Sequence, residues 1–246
     1  MERKEFIKKL GFGTMLVPFL VACSDSDDPT PSNNSSGGSS SGGTDTGSGT
    51  GSGTCTVSPT ETAGPFPTKD PASLERVDIR SDRTGVVMDV EITIQDKSNG
   101  CTALAGAMVD IWHCDSAGNY SEYGGTTMQS TNYQSVHFLR GRQETNSDGV
   151  ASFRTIFPGW YSGRAPHIHV HIYDSSGNSL LVTQIAFPTD VCDTVYTTAT
   201  TLYTKGKQDT SNTSDNIFSD SLAAELATVT GSIAEGFLLT KTIVVS

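Results

Sequence analysis

The residues best placed to do chemistry in this 246-residue chain are three histidines spaced two apart, His167, His169 and His171, in the run HIHVHIY. Read as a strand, the run puts the three imidazoles on one face and Ile168, Val170 and Ile172 on the other, because successive side chains alternate. Neighbours at i and i+2 lie about 6.5 Å apart along the backbone, so two rings can converge on one ion. On this pattern alone two other readings stand beside metal binding: a solvated polar face, or core histidines each held by a hydrogen bond. Arg164 and Pro166 immediately precede the histidines, and Trp160-Tyr161 lies just upstream in a Gly-flanked turn. Phosphate loops, dinucleotide fingerprints and a Gly-x-Ser-x-Gly elbow are absent, and no CxxC or Cys/His spacing suggests zinc.

The elements that must position these residues read as many short strands. Residues 86–95 (VVMDVEITIQ), 107–113 (AMVDIWH), 150–156 (VASFRTI) and 167–173 alternate apolar and polar side chains, and 180–187 and 237–245 add two more. Turn signals separate them: Ser98-Asn99-Gly100, Ala117-Gly118-Asn119, Ser147-Asp148-Gly149 and Ser176-Gly177-Asn178. One short helix is expected over Ser221–Val229. The pattern predicts an all-β fold, a single β-sandwich domain.

That domain begins late in the chain. Residues 1–22 have a basic start (Arg3, Lys4, Lys8, Lys9) and then an apolar run of 13 residues, Leu10 to Ala22. At about 1.5 Å per residue the run cannot cross a bilayer core of about 30 Å, so it reads as an export signal peptide. It ends Leu20-Val21-Ala22-Cys23, which resembles a bacterial lipobox, with Cys23 as the lipidated residue that anchors an exported lipoprotein to a membrane. Arg3-Lys4 resembles a twin-arginine motif with lysine in the second place, which leaves the export route open. Residues 23–54 carry that cysteine and a Gly/Ser/Thr-rich stretch with nothing to bury, expected to be a disordered tether spanning roughly 30 Å. The folded domain is then 55–246.

Its 12 basic and 21 acidic residues give a net charge of −9, which argues against nucleic acid and against a surface that binds anionic lipid. Four cysteines remain, Cys55, Cys101, Cys114 and Cys192, an even number in a compartment where disulfides persist. Of the three possible pairings, Cys101 with Cys114 is disfavoured by the strand between them. Buried free thiols are the other reading.

Four segments, 56–68 (TVSPTETAGPFPT), 107–120 (AMVDIWHCDSAGNY), 148–169 (DGVASFRTIFPGWYSGRAPHIH) and 182–187 (VTQIAF), together resemble in order and spacing the intradiol ring-cleavage dioxygenases of the catechol and protocatechuate type. The resemblance covers most of 55–200 and implies a transthyretin-like β-sandwich holding a non-haem Fe(III). It implies four metal ligands, Tyr120, Tyr161, His167 and His169, with Tyr161 the axial ligand that leaves when substrate binds. Arg164 and Gln184 match the catalytic arginine and glutamine near the metal. His171 has no counterpart and stays an ordinary strand residue, and Tyr123 and Tyr133 are expected in pocket or surface roles.

The reaction so implied takes a catecholic small molecule and O2, cleaves the ring between the two hydroxyl-bearing carbons, and yields a muconate-type diacid. Phenolate oxygen is a hard donor and imidazole a borderline one, a set suited to Fe(III), and Arg164 would stabilise the negative charge that develops. Two departures from the family pattern matter. Only five residues separate Tyr161 from His167, so one wall of the pocket should be more open, and the helical dimerisation segment of the catechol subgroup is replaced by the tether. The TETAGPFP segment (60–67) is implied to lie at the mouth of the site. Two rival functions remain: a non-catalytic β-sandwich binding module, and a zinc or copper surface site built on the three histidines.

Overall fold

The computed structural model describes residues 54–246. The signal peptide, the Cys23 anchor and all but the last residue of the tether lie outside the described residues. Among the described residues nine strands form two sheets: β1 (Val87–Asp96), β2 (Thr102–Ala103), β3 (Met108–Trp112), β4 (Arg140–Glu144), β5 (Val150–Ile156), β6 (His167–Tyr173), β7 (Ser179–Ala186), β8 (Thr228–Ser232) and β9 (Gly236–Val245). The first sheet runs β2-β1-β9-β8, with β5 also paired to β1; the second runs β4-β3-β6-β7. Most neighbours are antiparallel, but β1 and β9 run parallel. Met88, Val90, Ile92 and Phe153 from one sheet meet Val109, Ile111, Ile168, Val170 and Ile185 from the other in a single buried core. No helix among the described residues is long and apolar enough to cross a membrane.

Three features differ from expectation. The helix expected over Ser221–Val229 is one turn, α2 (Leu222–Glu225), after which the chain extends into β8. The β-branched run Thr228-Val229-Thr230 favours the strand, and the Ala227 N–H bonds Ala186 O at the end of β7. The longer helix is α1 (Thr189–Thr198), which buries Cys192, Val195 and Tyr196 at helical spacing beneath a Thr/Asp-rich exterior. Neither complete pairing of the cysteines forms: Cys55 joins Cys101, while Cys114 and Cys192 are buried free thiols packed among apolar side chains. Burial holds both thiols unusually reluctant to ionise.

The chain enters the domain as a strap, residues 55–68, crossing both sheets. Cys55 is bonded to Cys101 in the β1–β2 turn, the Ser58 N–H donates to Val244 O of β9, and the Glu61 N–H donates to Val182 O of β7. The strap thereby reaches the histidine face of β6.

Candidate metal centre

In β6, Ile168, Val170 and Ile172 point into the core, which leaves the histidines on the opposite face. Cross-strand register then sets Trp112 of β3 and Gln184 of β7 on either side of His169. Directly opposed residues share a face, and the Trp112 indole lies flat on the His169 ring at 4.9 Å with 4° between planes. His167 and His169 are 2% and 1% exposed, whereas His171, further along the strand, is half-buried and bonded to Ser179 and Tyr173. The structure therefore brings two of the three histidines together and leaves the third outside.

Tyr120 follows β3 through the Asp115–Asn119 turn, in which Asp115 Oδ1 accepts the N–H groups of Ala117 and Asn119. Gly118 is needed there: at φ +89°, a Cβ would lie 2.2 Å from Trp160 O. That close approach lays the Tyr120 loop against the backbone just before Tyr161. Gln129 clamps Tyr120 further, accepting its N–H and donating to its carbonyl. Tyr120 Oη sits 3.1 Å from His167 Nε2, and His167 Nε2 sits 3.2 Å from His169 Nε2. The Tyr161 ring stands edge-on to both Tyr120 (5.9 Å between centroids) and His167 (5.6 Å). All four expected ligands thus converge.

The protonation pattern suits a metal. His167 Nδ1 is 2.6 Å from Ala165 O, and since a carbonyl can only accept, Nδ1 carries the proton. Nε2 then presents a lone pair to Tyr120 and His169, the orientation by backbone carbonyl common for metal-binding imidazoles. Burial, with Arg164 adding to it, pushes His167 down to about 3, and burial with the nearby His167 and Arg164 holds His169 well below its usual range. Both rings are neutral donors at physiological pH. Burial pushes both phenols up, opposed at Tyr161 by Arg164; a bound cation is what would reverse that preference. Among the described residues no three His, Cys, Asp or Glu side chains are placed to hold one ion. The residues present fit Fe(III) through two phenol oxygens and two imidazole nitrogens, and the three-histidine surface site has no geometric basis.

Arg164 and Gln184 also meet. Arg164 Nη2 donates to Gln184 Oε1 at 2.7 Å, and Gln184 Nε2 donates to Thr62 O of the strap at 2.8 Å. Asp215, fully buried, completes the support: its Oδ2 accepts Arg164 Nε at 2.8 Å and the Ala165 N–H at 2.7 Å. Burial opposes ionisation of Asp215, but these donors and the Ile217 N–H outweigh it and hold its carboxyl below the usual range. Asp215, Trp112 and Gln129 are site residues that the sequence reading missed. Fully buried Arg140 is another, tying Phe66 O of the strap to Ser121 O beside Tyr120.

A pocket of about 450 Å³ meets the cluster at Tyr161 and is lined also by Arg164, by Thr62, Gly64 and Pro65 of the strap, and by Asn216 and Ile217. The short Tyr161–His167 connection leaves one wall to the 206–217 segment, where Asp209 accepts from Ser162 Oγ and the Gly163 N–H. Gly64 presses on the His169 ring: at φ +69°, a Cβ would come within 2.8 Å of His169 Cε1.

A two-sheet β-sandwich with paired tyrosines and histidines under a pocket defines a class that comparison with known proteins makes specific. The protein family described as Dioxygenase matches residues 64–222, and the chain belongs to the intradiol ring-cleavage dioxygenases, a family of oxidoreductases. It is 30% identical over 145 residues to chlorocatechol 1,2-dioxygenase of Rhodococcus opacus, covering 51% of this chain and 52% of that protein. The chain thus spans about half the length of that curated relative. An intradiol ring-cleavage dioxygenase from Tetranychus urticae superposes with a TM-score of 0.69 at 28% identity, covering 78% of this chain and 95% of that one. The dioxygenase domain of a dioxygenase carbohydrate-binding protein fusion from Streptomyces sp. SirexAA-E gives 0.56 at 27% identity, covering 77% and 97%.

Proposed function

We propose that the domain cleaves a catecholic substrate between its two hydroxyl-bearing carbons, using O2 and a non-haem Fe(III) held by Tyr120, Tyr161, His167 and His169. The observation that carries this reading is the meeting of two phenols and two neutral imidazoles in one buried cluster beneath a pocket. When bound, Fe(III) would draw electron density from a chelating catecholate, so that O2 attacks the ring and both its atoms enter the two carboxyl groups of a muconate-type diacid.

The chain's own residues divide the remaining work. Tyr120 is fully buried and clamped by Gln129, which suits a permanent ligand, whereas Tyr161 is partly exposed and lines the pocket, which suits the ligand that gives way. The Tyr161 phenol oxygen, at the pocket wall, would take a proton from a substrate hydroxyl. Arg164, fixed by Asp215 and Gln184, holds positive charge at the pocket wall where negative charge develops on the ring. His167 and His169 stay neutral, and the strap keeps bulk solvent from the His169 side.

We also propose that the domain works outside the cytoplasm, tethered through lipid on Cys23. The signal-like segment and lipobox support this, as does the Cys55–Cys101 bridge, which persists in an oxidising compartment.

Purification after growth with ample iron tests the activity. The protein should carry about one iron, show a reddish tyrosinate charge-transfer colour, and consume O2 with catechol, protocatechuate or hydroxyquinol. Tyr120→Phe and His167→Ala should bleach the colour or lose the iron. A colourless, iron-free protein with no O2 uptake would overturn the assignment.

A further inference from the structure

A second cavity of about 410 Å³ adjoins the catechol pocket and shares Pro65 and Met128 with it. Phe66, Tyr123 and Lys69 also line this second cavity, with Glu122 and Gln134. Met128 stands between the two cavities with 68% of its surface exposed, which lays apolar surface along the passage from one to the other. A chain of close contacts runs the same way from the metal centre. Steps of 4.9 Å from Tyr120 to Phe66, 5.2 Å from Phe66 to Tyr123, and 4.8 Å from Tyr123 to Lys69 Nζ set the ammonium no more than about 15 Å from the Tyr120 ring.

Lys69 Nζ spends one of its three donors on Glu122 O, at 2.7 Å. The carboxylate lining the same cavity is already matched: Glu122 is 1% exposed, accepts the Lys69 N–H and His137 Nδ1 at 2.8 Å each, and lies 3.6 Å from Arg140. The cavity that adjoins the proposed catechol pocket therefore presents a cation with spare donors, Lys69, beyond the apolar surface of Met128, Phe66 and Tyr123.

We infer that this cavity is a second subsite, which takes a carboxylate carried on a short side chain of the catechol ring. The inference rests on the catechol-cleaving function proposed above. It makes the substrates of this protein substituted catechols with an acidic tail, the ring seated under Arg164 and the tail lying over Met128 toward Lys69.

Calorimetry on the iron-loaded protein without O2 tests it, using 3-(3,4-dihydroxyphenyl)propanoate, its primary amide, and unsubstituted catechol. The acid should bind about fivefold more tightly than the amide, the upper end for an exposed charge pair, and the preference should fade in high salt. Lys69→Arg should retain the preference and Lys69→Met should lose it. Gln134→Glu, which adds negative charge to the same cavity without removing a Lys69 bond, should also reduce it. Equal binding of acid and amide, or a preference that survives both Lys69→Met and Gln134→Glu, overturns the subsite while leaving the dioxygenase reading intact. Failure of catechol itself to bind and to be consumed in air overturns both.

Discussion

The proton on His167 is placed by a main-chain carbonyl, and the charge of Arg164 is placed by a carboxylate 51 residues further along the chain. Asp215 touches no substrate in the proposed reaction and acts by holding Arg164 Nε. Asp215→Asn should keep iron content and visible colour while lowering kcat by about tenfold or more, part of what loss of a preorganised charge costs. Loss of the colour together with the activity would show that Asp215 matters only for folding. Gly64 makes the opposite case. Gly64→Ala forces a side chain against His169 in a left-handed backbone, so it should destabilise the protein by about 1–2 kcal/mol and weaken iron retention, which melting curves and metal analysis would measure. The meeting of Tyr120, Tyr161, His167 and His169 was legible only through the family resemblance, which rests on short segments that contain each of them. Asp215 was not: it lies in a polar Ser/Asn/Asp-rich stretch where nothing marks one carboxylate as buried. Trp112 was visible as a strand residue, but its stacking on His169 depends on a cross-strand register that a single sequence does not specify.

Among the elements, strands with a clean period of two were read almost to the residue, and β5 and β6 match their expected bounds. β4 escaped because its sequence, RGRQE, has no apolar alternation; its place is set by backbone pairing with β3 and by the Arg142–Asp110 ion pair. α1 escaped because Thr and Asp dominate its surface. The strap meets α2 through Glu61 and Glu225, and here the folded state holds a proton. Burial raises Glu225 to about 7, Ser221 opposes the shift, and Glu61 and Asp220 add to it while Lys241 lowers it. Burial also raises Glu61, with Asp220 contributing. The unfolded chain releases the Glu225 proton near 4.5, so between about 4.5 and 7 this site binds more protons in the folded state and its own contribution to stability falls as pH rises. Buried neutral His113, His167 and His169, which the unfolded chain would protonate below about 6.5, contribute in the opposite direction. Glu225→Gln should therefore make melting temperature rise more steeply with pH across that window than in the parent protein. An unchanged slope in the variant would refute the link.

For the molecule as a whole, the net charge of −9 on residues 55–246 is consistent with the proposed attachment through lipid rather than through the domain's own surface. Cys23→Ala should move the protein from the membrane fraction to the soluble fraction without changing the oxygen uptake of the purified domain; continued recovery with membranes would refute the lipid anchor. The Cys55–Cys101 bridge closes a loop of 46 residues, and its loss should cost about 4 kcal/mol by the loop-closure argument, seen as a lower unfolding midpoint in Cys101→Ser.

The position of that bridge has a mechanical side. Any pull arriving along the N-terminal chain reaches Cys55 first and is handed through a covalent bond to the turn at the end of β1, a strand paired along most of its length with β5 and β9. Residues 58–65, which hold Gln184 through Thr62 and press Gly64 on His169, lie beyond that junction and so share the load with a covalent bypass. A pull on the N-terminal chain thus reaches a strand paired on both sides as directly as it reaches the few hydrogen bonds that shape the pocket.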